Sequence, residues 1–237
     1  MKVLAIDSSS VIAGVAVMDD NQLLYEIYHH NKKNHSEILM SMVEKCLDSC
    51  ALKLSEIDVY AVSEGPGSFT GLRIGISTVK GLAQATDKPV AAIPTLDAMA
   101  WNIVGTNDLI CPIMDARRNQ VYSCLYRIEG EEYIRLMPYI ALSIDELIER
   151  LIVYKQPVRF IGDGIRPYRS ILEEFLGEYA LFAPPYLAYQ RASVIAFLGY
   201  EAARAGKTVD YNSLKPFYLR KSQAEQKRNQ QLKDNER

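Results

Sequence analysis

Residues 65–75, Gly65-Pro66-Gly67-Ser68-Phe69-Thr70-Gly71-Leu72-Arg73-Ile74-Gly75, constrain this chain more than any other stretch. Proline fixes φ between two glycines that tolerate almost any backbone conformation, so the chain enters the following helix at a defined angle. Such a helix start either docks an anion on its free amides, with Gly65 and Gly67 bringing the backbone close, or is a tight structural turn without a ligand. The spacing does not choose between the two. No Gly-Lys-Ser/Thr follows, which rules out a Walker loop, and the proline and spacing rule out the dinucleotide fingerprint.

The helix opens near residues 68–70 and runs to about residue 85, with Gly71, Gly75 and Gly81 inside it. Each interior glycine costs about 0.8 to 1 kcal/mol relative to alanine, so three of them need a reason. Residues 36–50 form an amphipathic helix in which Ile38, Leu39, Met42, Val43 and Cys46 recur at helical spacing. Two readings stand. Ile38, Leu39, Met42, Val43, Cys46, Gly71, Gly75 and Thr78 form a face for a protein partner, or both helices pack in the ordinary way on their own sheet.

Hydrophobic periodicity orders the rest. Strands are expected at residues 3–7, 11–18 and 22–30, then the helix at 36–50, a strand at 59–63, the glycine-bearing helix, a strand at 90–93 and a short helix capped by Thr95. That β-β-β-α-β-α-β order resembles one lobe of the actin-like ATPase fold (Hsp70 and sugar-kinase type), an α/β class. Beyond a boundary near residue 105 the order starts again in trimmed form: strands at 109–115, 120–128, 131–140 and 157–161, and helices at 143–151, 167–176 and 192–205. The expected organisation is a first lobe over 1–105, a second over 106–220, and a flexible charged tail over 221–237.

Composition narrows the function classes. The 27 Lys and Arg against 29 Asp and Glu give a formal net charge of −2, which offers no global field to hold a polyanion unaided. No apolar run approaches membrane-spanning length, and a cytoplasmic location is expected. Cys46, Cys50, Cys111 and Cys124 show no CxxC pair and no nearby histidine, so they read as small core hydrophobes. His29, His30 and His35 have no partner at catalytic spacing, and no catalytic residue is assigned.

Three turns sit where an actin-like enzyme faces its nucleotide. Asp7-Ser8-Ser9 ends the first strand with serine at the glycine position of the kinase-type pattern. Asp7 is either a retained phosphate or metal-water carboxylate or a capping residue of its own turn. Ala116, Arg117 and Arg118 stand in the second turn in place of glycines. The two arginines meet a partner's acid or an RNA phosphate, or are simply solvated. Gly162-Asp163-Gly164 resembles the adenosine-side turn.

Residues 63–75, Ser-Glu-Gly-Pro-Gly-Ser-Phe-Thr-Gly-Leu-Arg-Ile-Gly, closely resemble the signature of the TsaB (YeaZ) family. Ala5-Ile6-Asp7-Ser8-Ser9, Met114-Asp115-Ala116-Arg117, Val121-Tyr122, Gly162-Asp163-Gly164 and Lys215-Pro216-Phe217-Tyr218-Leu219-Arg220 follow in the same order. The resemblance implies a non-catalytic subunit that pairs with TsaD through the helices at 36–50 and 70–85. With TsaE, it supports transfer of threonylcarbamoyl to N6 of adenosine 37 in ANN-decoding tRNAs. It implies that ATP and metal belong to TsaD and TsaE, and that tRNA is met through the complex. TsaD-like proteins carry a His-x-x-x-His metal pair where this chain has Thr95 and Met99, so no metal and no cofactor of its own are expected. A small actin-like kinase using Asp7, and a homodimeric interaction module, are the competing readings.

Overall fold

The computed structural model describes residues 1–30 and 35–220. The expectation of a flexible tail falls on residues 221–237, outside the described residues. Strands β1 (Lys2–Asp7), β2 (Ile12–Asp19) and β3 (Gln22–His30) form an antiparallel meander. Helix α1 (His35–Ser49), β4 (Val59–Gly65), α2 (Phe69–Thr86), β5 (Val90–Pro94) and α3 (Thr95–Ala100) follow. β1, β4 and β5 run parallel, and the sheet order is β3-β2-β1-β4-β5.

The second half repeats this plan. β6 (Leu109–Arg117), β7 (Gln120–Glu129) and β8 (Glu132–Ser143) are antiparallel; α4 (Ile144–Ile152), β9 (Val158–Ile161), α5 (Ile165–Leu176), β10 (Ala180–Phe182) and α6 (Ala192–Arg204) complete it. Its order, β10-β9-β6-β7-β8, is that of the first sheet element for element. β10 is not foreseen from sequence: three residues carry no usable period, and only pairing with β9 makes them a strand.

Each sheet is covered on both faces. Leu4, Ile6, Val15 and Val62 pack with Leu39, Met42, Val43 and Cys46 of α1 and with Ile76 and Val79 of α2. On the opposite face, Val3, Ala5, Ala61 and Ala91 meet Ala192, Ile195 and Ala196 of α6. Expected as the last helix of the second lobe, α6 is instead buried on the first sheet, where alanines on both sides permit close contact. Reciprocally, α3 packs Leu96, Met99 and Ala100 onto Ile110, Met114, Tyr126 and Ile161 of the second sheet. The terminal helix of each repeat thus lies against the sheet of the other.

Local chemistry sets the helix ends. Ser68 caps α2 by accepting from the Gly71 amide at 3.2 Å, and Ser143 with Glu146 closes a capping box on α4. Thr95, expected to cap α3, is its first helical residue behind Pro94, and its buried hydroxyl has no partner.

Candidate functional site

A cleft of about 670 Å³ opens between the two sheets. Its walls are the β1–β2 turn (Ser9, Ser10), the start of α2 (Gly67, Phe69, Arg73), the β6–β7 turn (Asp115, Arg117) and residues 217–220.

The four glycines of residues 65–75 are explained by contacts inside this chain. A Cβ on Gly67 would stand 2.3 Å from the Ser9 carbonyl oxygen, one on Gly71 2.0 Å from that of Ser8, and one on Gly75 2.3 Å from Ser8 Oγ. The β1–β2 turn lies directly on α2, secured by Ser8 Oγ donating to the Gly71 carbonyl at 2.8 Å and by the Ser68 amide donating to Ser9 at 2.7 Å. Gly65 has φ +125°, and a Cβ there would meet the Phe217 carbonyl oxygen at 2.3 Å. Gly81 alone in α2 faces open space.

Three amides of the turns facing the cleft, those of Ser9, Asp115 and Arg117, are occupied. Asp7 Oδ1 accepts from the Ser9 amide at 2.8 Å and the Ser9 hydroxyl at 2.7 Å. Ser9 Oγ in turn accepts from Gln190 at 3.0 Å. Asp115 Oδ1 takes the Arg117 amide at 2.8 Å, and Asp163 Oδ1 takes the Asp115 amide at 3.0 Å. These three amides are thus bonded to carboxyl groups of the same chain.

Burial pushes the Asp7 carboxyl above its usual range, opposed by the Ser9 bonds and the neighbouring Ser63 hydroxyl, which lies beside it without closing a hydrogen bond. Burial also raises Asp163. Asp7 caps its own turn through Oδ1, and its Oδ2 is unpartnered. His35 donates from Nε2 to the Ser10 carbonyl at 2.8 Å and ties α1 to the same turn.

Residues 215–220 cross the cleft as a strap. The Phe217 amide donates to the Glu64 carbonyl at 2.7 Å. Tyr218 stacks on Phe69 at 4.6 Å and its hydroxyl accepts from Arg73 Nε at 3.1 Å. On the second lobe Arg220 Nη1 donates to Gln120 at 2.6 Å, and Phe217 meets the edge of Tyr139 at 5.8 Å. The sequence signals this segment only as the family-like motif Lys215-Pro216-Phe217-Tyr218-Leu219-Arg220, and its contacts come from the structure.

Other expected site residues are scattered. Gly162 and Gly164 press on the Ile113 carbonyl, at 2.1 and 2.9 Å from their would-be Cβ atoms, and serve packing, not the cleft wall. Arg117 and Arg118, with Asn119, occupy three successive left-handed positions at φ +66°, +56° and +59°. Arg117 faces the cleft and pairs with Asp115 at 3.4 Å, while Arg118 is exposed.

Of the eight residues expected on a partner face, Leu39, Met42, Val43, Cys46, Gly71 and Gly75 are buried within their own lobe. The physical reason is that the first sheet and the β1–β2 turn already use them. Ile38 and Thr78 stay half-buried beside Ile74, and Met40 is 52 % exposed.

Thr95 and Met99 are fully buried, with Met99 in the apolar seam under α3. One carbon-sulfur ligand in such surroundings is a poor match for a hard metal. Cys46 and Cys111 are pushed up to about 12 and Cys124 to about 11, chiefly by burial, so none is a ready thiolate. Among the described residues no three His, Cys, Asp or Glu side chains gather as for a metal, and no helix is long and apolar enough to cross a membrane.

Comparison with known proteins fits this geometry. Residues 22–228 match the family model described as TsaD, tRNA N6-adenosine threonylcarbamoyltransferase. The tRNA threonylcarbamoyladenosine biosynthesis protein TsaB of Bacillus subtilis is 34 % identical over 227 residues, 96 % of this chain and 97 % of its own length. A Pseudomonas aeruginosa crystal structure, described as an uncharacterized protein with similarity to peptidase YeaZ, superimposes with a TM-score of 0.77 at 27 % identity, over 92 % of this chain and 99 % of that one. Component A of (R)-2-hydroxyglutaryl-CoA dehydratase from Acidaminococcus fermentans shares the fold alone, with a TM-score of 0.50 at 12 % identity over 86 % of this chain and 99 % of that one. With its paired five-stranded sheets of actin-like type and a full-length match to a curated relative, this chain belongs to the TsaB (YeaZ) family of tRNA threonylcarbamoyladenosine biosynthesis proteins.

Proposed function

We propose that this chain is the non-catalytic partner of a TsaD-like protein. With a TsaE-like ATPase, the pair transfers threonylcarbamoyl to N6 of adenosine 37 in ANN-decoding tRNAs in the cytoplasm. The observation that carries the non-catalytic half is the state of the cleft. The Ser9, Arg117 and Asp115 amides are bonded to Asp7, Asp115 and Asp163, and residues 217–220 of the strap line the cleft. In this reading ATP and metal reside on the partners, and this chain needs no cofactor. The near-balanced charge of 27 basic and 29 acidic residues favours tRNA contact through the complex.

The partner surface is then narrower than the whole α1–α2 face. It consists of what the core leaves over: Ile38, Met40, Ile74, Thr78 and Gly81, where a bare backbone at Gly81 lets another helix approach closely. Copurification with a TsaD-like protein tests it. Ile38→Asp and Gly81→Leu, both at positions outside the buried core, should abolish copurification while leaving the circular dichroism of the fold unchanged. Undiminished copurification of both folded variants overturns the reading. In isolation the same apolar strip is expected to take a second copy of the chain, which sedimentation with and without the partner resolves. Phosphate release by the isolated chain at enzymatic rates would favour a kinase instead.

A further inference from the structure

Helix α3 lies in the seam where the two lobes meet, and Asp97 is its one charged residue. Its Oδ1 accepts two hydrogen bonds, one from the Tyr126 hydroxyl and one, at 2.6 Å, from the Tyr139 hydroxyl. Both tyrosines belong to the second sheet, on β7 and β8, so a carboxylate from one lobe is held by two phenols of the other. Burial, and then the nearby Asp97 charge, raises both hydroxyls well above their ordinary value and keeps them donors. Glu64, at the end of β4, is raised by burial and by Asp97, and the Arg135 guanidinium lies 4.3 Å over the Tyr139 ring. Beside this cluster, Tyr133 of β8 donates to the Ile103 carbonyl at 2.6 Å and stacks on Trp101 at 4.3 Å.

We infer that Asp97 is a positioning residue: with Tyr126 and Tyr139 it clasps the second lobe to α3 and so fixes the angle between the lobes and the width of the cleft. Separating these groups would leave a part-buried carboxylate without its donors, so the clasp resists opening. The strap of residues 215–220 reinforces it on the cleft side, through Arg220 and Gln120.

Trp101 is the only tryptophan in the chain, and it reports directly on the seam. Its emission maximum and its quenching by acrylamide are measured on the full-length protein, with far-UV circular dichroism as the check on folding. Asp97→Ala, and the pair Tyr126→Phe with Tyr139→Phe, should each shift the emission to the red and increase quenching. Combining all three should add nothing further, because they remove the same link. Asp97→Asn retains an Oδ1 acceptor and should match the parent, whereas the Tyr→Phe variants keep both rings and lose only the hydroxyls, so their shift is the outcome that a purely packing role would not produce. A folded Asp97→Ala with parental emission and quenching overturns the inference, as does an Asp97→Asn shift equal to that of alanine. Should Asp97→Ala fail to fold, Tyr139→Phe alone, which removes one hydroxyl from a half-buried ring, decides by the same readout. Parental quenching in that variant also overturns the inference.

Discussion

At the scale of single residues, Asp7 is only 3 % exposed, bonded through Oδ1 to Ser9 and unpartnered at Oδ2. Burial raises its carboxyl above the ordinary 3.8, so above that pH the folded chain retains a proton that the unfolded chain has lost. The sign follows: the contribution of this group to stability is whole below the ordinary value and declines as pH rises through the raised one. Asp7→Asn removes the titration and keeps an oxygen for Ser9. The variant is expected to be more stable than the parent by about 1 to 3 kcal/mol at neutral pH, with the gain fading as pH approaches the ordinary value. Urea unfolding at neutral and acidic pH checks both size and direction. The position of Asp7 at a strand end and its capping of a turn were legible in sequence; its burial was not, because the groups around it, Ser63 and the Gln190 that holds Ser9, come from distant parts of the chain.

At the scale of elements, α2 separates two kinds of glycine. Gly75 is required by Ser8, whose Oγ would lie 2.3 Å from an added Cβ, whereas Gly81 meets nothing within 4 Å. Gly75→Ala should therefore destabilise the isolated chain by about 1 to 3 kcal/mol despite the better helix propensity of alanine. Gly81→Ala should stabilise it by about 0.8 to 1 kcal/mol. Denaturant unfolding of the two variants side by side tests the distinction, and equal effects would remove it. Sequence propensity established that these glycines need a reason. It could not say which reason, since the amphipathic period of α1 and α2 is the same whether their apolar residues face a sheet or a partner. Leu39, Met42, Val43 and Cys46 face the sheet, and Ile38 and Met40 lie toward the rim.

At the scale of the molecule, the decisive feature is the exchange of terminal helices, with α3 against the second sheet and α6 against the first. Glu26 of β3 adds a tie to the start of α6: burial alone would raise its carboxyl, but Arg191 and the Ser193 amide and hydroxyl hold it below the ordinary range. Neither half buries its sheet without a helix from the other. The chain should therefore unfold in one cooperative transition, with Trp101 fluorescence and far-UV circular dichroism coincident; two separated midpoints would show independent lobes. Sequence alone determined the element order apart from β10 and the repeat of the sheet plan, because alternation, helical period and turn chemistry are local properties written in neighbouring residues, and it carried the family through the resemblance of residues 63–75. Tertiary structure alone decided that α6 crosses to the first lobe, that β10 completes the second sheet, and that Asp97 meets Tyr126 and Tyr139. It also decided that the glycines of residues 65–75 accommodate this chain's own turn and strap. Each of these depends on distances between residues far apart in the chain, which no local pattern encodes.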